Sequence, residues 1–183
     1  MATTTRLTIE DFEKLPAEAV KHRELVDGEL MDVSGNTGEH NELRDLLVSL
    51  LLPFVTQGKL GRALSEQEFD FRDNAHGLDL SFFGPEKCEL YNRKRRVQRF
   101  APDLAIEIVS QNDTFESLMK KAQRYRDCGT ADVRIFSIET RQACLMAQSR
   151  NVILDENQEF RPETIPGFSI PLGELFDRIL TQR

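Results

Sequence analysis

Residues Pro102 to Tyr125 read PDLAIEIVSQNDTFESLMKKAQRY. Asp103 to Ser110 (DLAIEIVS) is rich in Ile, Val and Leu and stops at Gln111-Asn112-Asp113, the pattern of a strand ending in a polar turn. Phe115, Leu118, Met119, Ala122 and Tyr125 then recur at i, i+3, i+4 and i+7, the apolar stripe of a helix lying on a sheet. One carboxylate, Glu107, interrupts the apolar strand, and burial there is costly without a cation, a metal or hydrogen bonds. The helix offers Lys120 and Lys121. Helix angle puts Lys121 on the shoulder of the apolar face, one turn before Tyr125, and turns Lys120 and Arg124 toward solvent. Glu107 lies about 10 Å back from the strand end and Lys121 roughly 10–12 Å into the helix, so a helix folded back along the strand brings both to one height. Two readings are open: an ion pair that fixes helix to sheet, or part of a reactive site.

The rest of the chain supports one layered α/β (α+β) unit over residues 1–183, a mixed sheet with helices on its faces. Thr8-Ile9-Glu10-Asp11 caps a short helix that Pro16 stops. His22 to Val33 reads as a hairpin around Asp27-Gly28. Asn36 to Glu39 opens a long helix with a face of Leu43, Leu46, Leu47, Leu50 and Phe54, which Pro53 is expected to bend or end. His40 falls at the edge of that face. Ala63 to Arg72 and Leu78 to Phe83 read as strands around a turn at Asp73 to Gly77. Ala131 to Ile138 and Gln142 to Gln148 form another expected hairpin, Val152 to Leu154 a further strand, Ile165 to Phe168 a turn and Leu172 to Leu180 a closing helix.

Composition excludes several classes. With 39% hydrophobic and 30% charged residues the chain is neither disordered nor membrane-spanning, and the first residues lack the apolar core of a signal peptide. Cys88, Cys128 and Cys144 are odd in number and show no CxxC spacing, which argues against a disulfide framework or a zinc site. A cytoplasmic protein with reduced thiols is expected. The net charge of −7 argues against a general nucleic-acid coat, though a local basic patch could still hold a phosphate backbone.

A second acid, Asp79, interrupts the apolar strand LDLSFF. If its strand neighbours that of Glu107, about 4.8 Å away, both carboxylates can share one divalent ion, Mg²⁺ or Mn²⁺. Asp103 also precedes Glu107 in a superficial PD…E pattern, but four residues of strand span roughly 13 Å and one ion cannot join them. Asp103 therefore reads as a strand-entry residue. Two acids on adjacent strands with one lysine form the minimum set for metal-assisted phosphodiester hydrolysis.

The order of short motifs is more specific than any one of them. Arg23-Glu24-Leu25-Val26-Asp27-Gly28-Glu29-Leu30 is followed by His40 opening a helix, then Asp79, Pro102 to Ser110, Lys121-Ala122-Gln123-Arg124-Tyr125, Gly129 and Ile165-Pro166-Gly167-Phe168. Over about residues 8–180 this resembles the Uma-type restriction endonuclease family, small bacterial proteins of the PD-(D/E)XK nuclease superfamily. The resemblance implies a restriction-endonuclease-like fold, with Asp79 and Glu107 as metal acids. The lysine usual two residues after the glutamate would fall at Val109, and the family supplies it from the next helix, here at Lys121. Glu24 matches a family position and would be a further acid on the metal or its water shell, and His40 would line the site or cap its helix. The chain departs from the family pattern at Gly77-Leu78, Gln111 and Val133 to Phe136, none of which removes a proposed ligand.

The function expected from these readings is a Mg²⁺-dependent endonuclease acting on DNA, as a homodimer because duplex cleavage needs two sites. The basic run Arg93, Lys94, Arg95 and Arg96 would supply positive surface for DNA, or else is a solvated loop. The alternatives are a catalytically inactive nucleic-acid-binding or interaction protein that keeps the fold, and a small-molecule-binding domain in which Glu107 and Lys121 only pair.

Overall fold

A computed structural model describes residues 6–33, 36–147 and 150–180. The chain begins with α1 (Ile9–Lys14), where Thr8 and Asp11 exchange the two bonds of a capping box. A single turn, α2 (Ala17–Val20), leads into the hairpin of β1 (Arg23–Val26) and β2 (Glu29–Asp32). Its two-residue loop, Asp27-Gly28, has φ of 50° and 82°, and a Cβ on Gly28 would lie 2.5 Å from Cβ of Arg6. Glycine is therefore required both by conformation and by space. The long helix α3 (Gly38–Gln57) follows, then β3 (Arg62–Asp70), β4 (Ala75–Phe83), the single turn α4 (Pro85–Cys88) and β5 (Val97–Gln98). The central unit is β6 (Leu104–Ile108), α5 (Phe115–Asp127) and β7 (Asp132–Ser137). After it come β8 (Gln142–Ala147), β9 (Asn151–Leu154), the small pair β10 (Glu159–Phe160) and β11 (Ile170–Pro171), and α6 (Leu172–Leu180).

Among the described residues the main sheet has nine strands. It runs β2-β1-β4-β6-β7-β8-β9, with β3 also paired along β4 and β5 along β3. The β6–β7 pair is parallel, as a strand–helix–strand crossover requires, and β4–β6 is antiparallel. Leu104, Ile106 and Ile108 face the core built by α3 and α6, while Ala105 faces the core beneath α5, which includes Leu118, Ala122 and Tyr125. That alternation puts the two helices on opposite faces. Leu43, Leu47, Leu51 and Val55 are fully buried along α3, each contributing about 1.5–3 kcal/mol of apolar transfer.

The position of the site follows from a fork in the sheet. One edge of β4 pairs with β3 along its length. The other edge is shared: Ala75 meets Leu25 of β1, and Leu80 to Phe82 meet Ile106 to Leu104 of β6. Between these, residues 76–79 of β4 have no ladder partner on that edge among the described residues. Both His76 and Asp79 lie in this gap.

Several expectations from sequence are corrected. Pro53 does not end α3, which continues to Gln57, because a helix this deeply packed tolerates one missing bond. The β3–β4 turn is Arg72-Asp73, both left-handed at φ 55° and 62°, so His76 and Gly77 belong to the strand. Asn74, which donates to the carbonyls of Phe71 and Arg72 and accepts from Asp27 N, holds that turn in place of glycine. Phe115 is the first residue of α5 and 79% exposed, preceding the turns that reach the sheet. Arg124 does not project into solvent but pairs with Asp27 across the α5–hairpin boundary. Gln148, expected at the end of a strand, lies outside the described residues. Among those residues no helix is long and apolar enough to cross a membrane.

Candidate active site

Glu107 is the fourth residue of β6, on its α5-facing side, and only 8% exposed. Its Oε1 accepts a 2.6 Å hydrogen bond from the hydroxyl of Tyr125, itself fully buried. Burial, with Asp79 and Glu24 close by, pushes the Glu107 carboxyl up to about 8, against the pull of Lys121 and of the tyrosine bond. Tyr125 is driven well above its ordinary range by the same burial and the neighbouring acids, so it remains a donor.

Asp79 sits in the gap of β4. Its Oδ2 accepts from Ile108 N at 2.7 Å, a bond that replaces the ladder partner missing there, and lies 3.3 Å from Nε2 of His40. Thr37 caps α3 through His40 N, which fixes the first turn and delivers the imidazole to Asp79. Asp79 and Glu107 thus flank the end of one strand pair.

Lys121 reaches this cluster, whereas Lys120 is exposed and pairs with Glu116 one turn back. The direct bond made by Lys121, however, is not to Glu107. Its Nζ lies 3.0 Å from Oε2 and 3.1 Å from Oε1 of Glu24, on β1. Burial weakens the ammonium form, but the charges of Glu107 and then Glu24 outweigh it and hold Lys121 protonated. Glu24 Oε2 also meets Nδ1 of His76 at 2.9 Å. Burial alone would raise the Glu24 carboxyl; the His76 bond and the neighbouring charges outweigh it and set it below the usual range. His76 is pulled down by burial, more than its bond to Glu24 raises it, and so is the neutral partner.

These groups converge on one cleft of about 950 Å³. It is lined by Glu24 of β1, His40 and Arg44 of α3, His76 and Asp79 of β4, Glu107 of β6 and Lys121 and Arg124 of α5. All three histidines of the chain line it. His40 Nδ1 and His76 Nε2 are buried without a hydrogen-bond partner among the described residues.

The basic run is placed elsewhere. Residues 93–96 do not line the cleft. Arg93, Lys94 and Arg95 are exposed on a loop folded around the Gln98 side chain. Arg96 is committed to Glu68 through two 2.6 Å bonds and lies over the ring of Phe12. Asp103 is occupied by Gly84 N and Lys87, as a strand-entry residue would be. Sequence reasoning missed His76, assigned to a turn, and treated Tyr125 only as packing. A tyrosine on the helix face that carries Lys121 was the available signal, since a buried hydroxyl needs a partner.

A forked α/β sheet thus gathers three acids, two buried histidines and a lysine at one cleft, and comparison with known proteins identifies the family that carries it. The sequence matches the model of a family described as "Uma2: Putative restriction endonuclease" over residues 9–173, and the chain belongs to that family. Among solved structures it is similar to a crystal structure of a putative nuclease belonging to DUF820 from Anabaena variabilis. The TM-score is 0.82 at 19% identity, covering 94% of this chain and 99% of that one, which shows a shared fold. No curated protein matches the sequence.

Proposed function

We propose that the protein is a nuclease that hydrolyses DNA phosphodiester bonds with a divalent metal, Mg²⁺ or Mn²⁺, held by Asp79 and Glu107. The observation that carries the reading is the gathering of acid at the fork: Asp79 and Glu24 lie close enough to Glu107 to help burial push its carboxyl up to about 8, and Lys121, bonded to Glu24, also acts on it. Without a further cation the cluster relieves its charge by keeping a proton on Glu107, and a divalent ion would take that proton's place. The donor set fits one. Oδ1 of Asp79 and Oε2 of Glu107 carry no protein hydrogen bond among the described residues, while the other oxygen of each is oriented by Ile108 N or Tyr125. Those residues include no group of three or more His, Cys, Asp or Glu side chains placed to cage a metal. Two carboxylates completed by water and substrate oxygens is the arrangement Mg²⁺ favours over a full protein cage.

A divalent ion bound there would polarise the phosphodiester and acidify a water beside it. The protein's own groups do the rest. Lys121 offsets negative charge growing on the phosphate as a water oxygen bonds to phosphorus and the bond to the leaving sugar oxygen breaks. Glu24 has both oxygens engaged by Lys121 and His76, so its role is to aim the lysine rather than to bind metal. Tyr125 keeps one oxygen of Glu107 turned away from the cleft. Cutting both strands of a duplex would use two copies of the chain.

The test is incubation with plasmid DNA and Mg²⁺ or Mn²⁺, comparing wild type with Glu107→Ala and Lys121→Ala. Nicking or linearisation by wild type that both variants lose supports the reading. Cleavage unchanged by either substitution, or none by wild type with either ion, sinks it.

A further inference from the structure

Two arginines flank the acid cluster from opposite faces of the sheet. Arg44 lies one turn after His40 on α3, and Arg124 lies three residues after Lys121 on α5, so each helix presents to the cleft one residue at the acids and one basic residue further out. Arg44 pairs with Glu66 and Asp45, and Arg124 with Asp27 at 3.3 Å. The arginine side chains are partly buried, at 17% and 29% exposure, whereas those of Glu66 and Asp27 are 60% and 68% exposed. Pairs with a partner so open to water hold weakly and exchange readily. Arg124 also has Nη1 buried with no acceptor among the described residues, a charged donor that lacks its partner.

We infer that Arg44 and Arg124 form a two-sided phosphate-binding rim, each gripping a backbone phosphate of the nucleic acid on either side of the scissile bond. The inference rests on the nucleic-acid substrate proposed above and moves the binding surface from the run Arg93 to Arg96 to the cleft itself. Guanidinium is suited to this role, because its planar fork binds a phosphate through two parallel bonds and trades one oxyanion for another without changing geometry. An acidic protein then needs no broad basic face: two arginines aligned with Lys121 supply positive charge where the strand passes the acids.

The experiment measures binding of a fluorescein-labelled DNA duplex by anisotropy, with Ca²⁺ in place of Mg²⁺, across a series of NaCl concentrations. Arg44→Ala and Arg124→Ala should each weaken binding about tenfold, the loss of one charge-assisted contact. Each should also reduce the slope of log K against log salt by about 0.9. Arg44→Lys and Arg124→Lys, which keep the charge, should restore the slope and only part of the affinity. The triple variant Arg93→Ala, Lys94→Ala, Arg95→Ala should bind as wild type does. Loss of binding in the triple variant alone overturns the inference, and plasmid cleavage by wild type would leave the nuclease reading standing. Binding that depends on Arg44 and Arg124 without any plasmid cleavage upholds the inference and removes the nuclease reading. No binding of duplex by wild type overturns the inference outright.

Discussion

Two sets of charged side chains are buried in this sheet, and they are built differently. On β7, Asp132 and Arg134 are 2% and 1% exposed and joined by bonds of 2.7 and 3.0 Å. Arg134 also donates to the carbonyl of Arg161 and lies over the face of Phe160. One acid meets one base, and neither lines the cleft at the fork. At the fork three acids lie close together around Glu107 with Lys121 bonded to one of them, two histidine nitrogens lack hydrogen-bond partners among the described residues, and the group faces open volume. A buried pair that serves the fold is balanced and closed. The fork is unbalanced and open, which is the arrangement a site needs if it is to take in a cation and an anion.

The strongest way to sharpen this contrast is to separate activity from stability. Glu107→Gln should lower plasmid cleavage by at least about a hundredfold, as loss of a group acting on the transition state does, while the variant stays folded. Asp132→Ala should behave in the opposite way. Leaving Arg134 buried and unpaired costs about 3–5 kcal/mol, seen as a melting temperature lower by roughly 10 °C, with near-normal cleavage by the protein that remains folded. If Glu107→Gln also collapses the fold, the two regions are not distinct in kind.

The fork should also show its strain against pH. The folded-state value of about 8 for Glu107 lies above its ordinary 4.5, so between these limits the folded protein holds a proton that the unfolded chain has released. Stability associated with this group is therefore fully present below about pH 4.5 and lost as pH rises through 8. Without metal, Glu107→Gln should melt above wild type at pH 8–9, by a few kcal/mol at most at ~1.4 per unit, and the difference should vanish toward pH 5. Adding Mg²⁺ should raise the melting temperature of wild type and not that of the variant. Tyr125→Phe removes a bond that favours ionised Glu107, so cleavage should fall about tenfold near neutrality and recover above pH 9. A pH-independent deficit would assign Tyr125 to packing alone. The smallest effect is expected at Lys120, whose exposed pair with Glu116 should make Lys120→Ala cleave within about twofold of wild type.

The sequence made the core of this arrangement readable because local periodicity and helix geometry act there without competition. A strand of Ile and Val with one acid, then a helix whose stripe selects Lys121 over Lys120, needs only residue spacing. What it hid depends on long-range placement. The family motif marked Glu24 as a site acid but not as the partner of Lys121, a bond that arises because β1 joins β4 beside the fork, a non-local pairing that no pattern in residues 102–125 encodes. His76 was lost to a turn assignment because Arg72-Asp73 adopts left-handed angles normally signalled by Asn-Gly, with the support coming from Asn74 instead. Arg124 points away from the apolar stripe by helix angle, yet the β1–β2 hairpin rises beside α5 and captures it. The basic run was the plainest feature of the sequence, and the cleft lies elsewhere.

Asp79 has a second duty that Glu107 does not share. By accepting from Ile108 N it closes the end of β6 where β4 offers no backbone partner, so its side chain is a piece of the sheet as well as an acid at the cleft. If the proposed activity holds, losing Glu107 would cost a lineage its chemistry, whereas losing Asp79 would also fray the strand that carries the rest. Relatives that have abandoned catalysis should thus be found with Glu107 or Lys121 replaced and the aspartate retained. On the proposed reading, an aspartate found there by itself would mark ancestry, and the glutamate and lysine would mark a working enzyme.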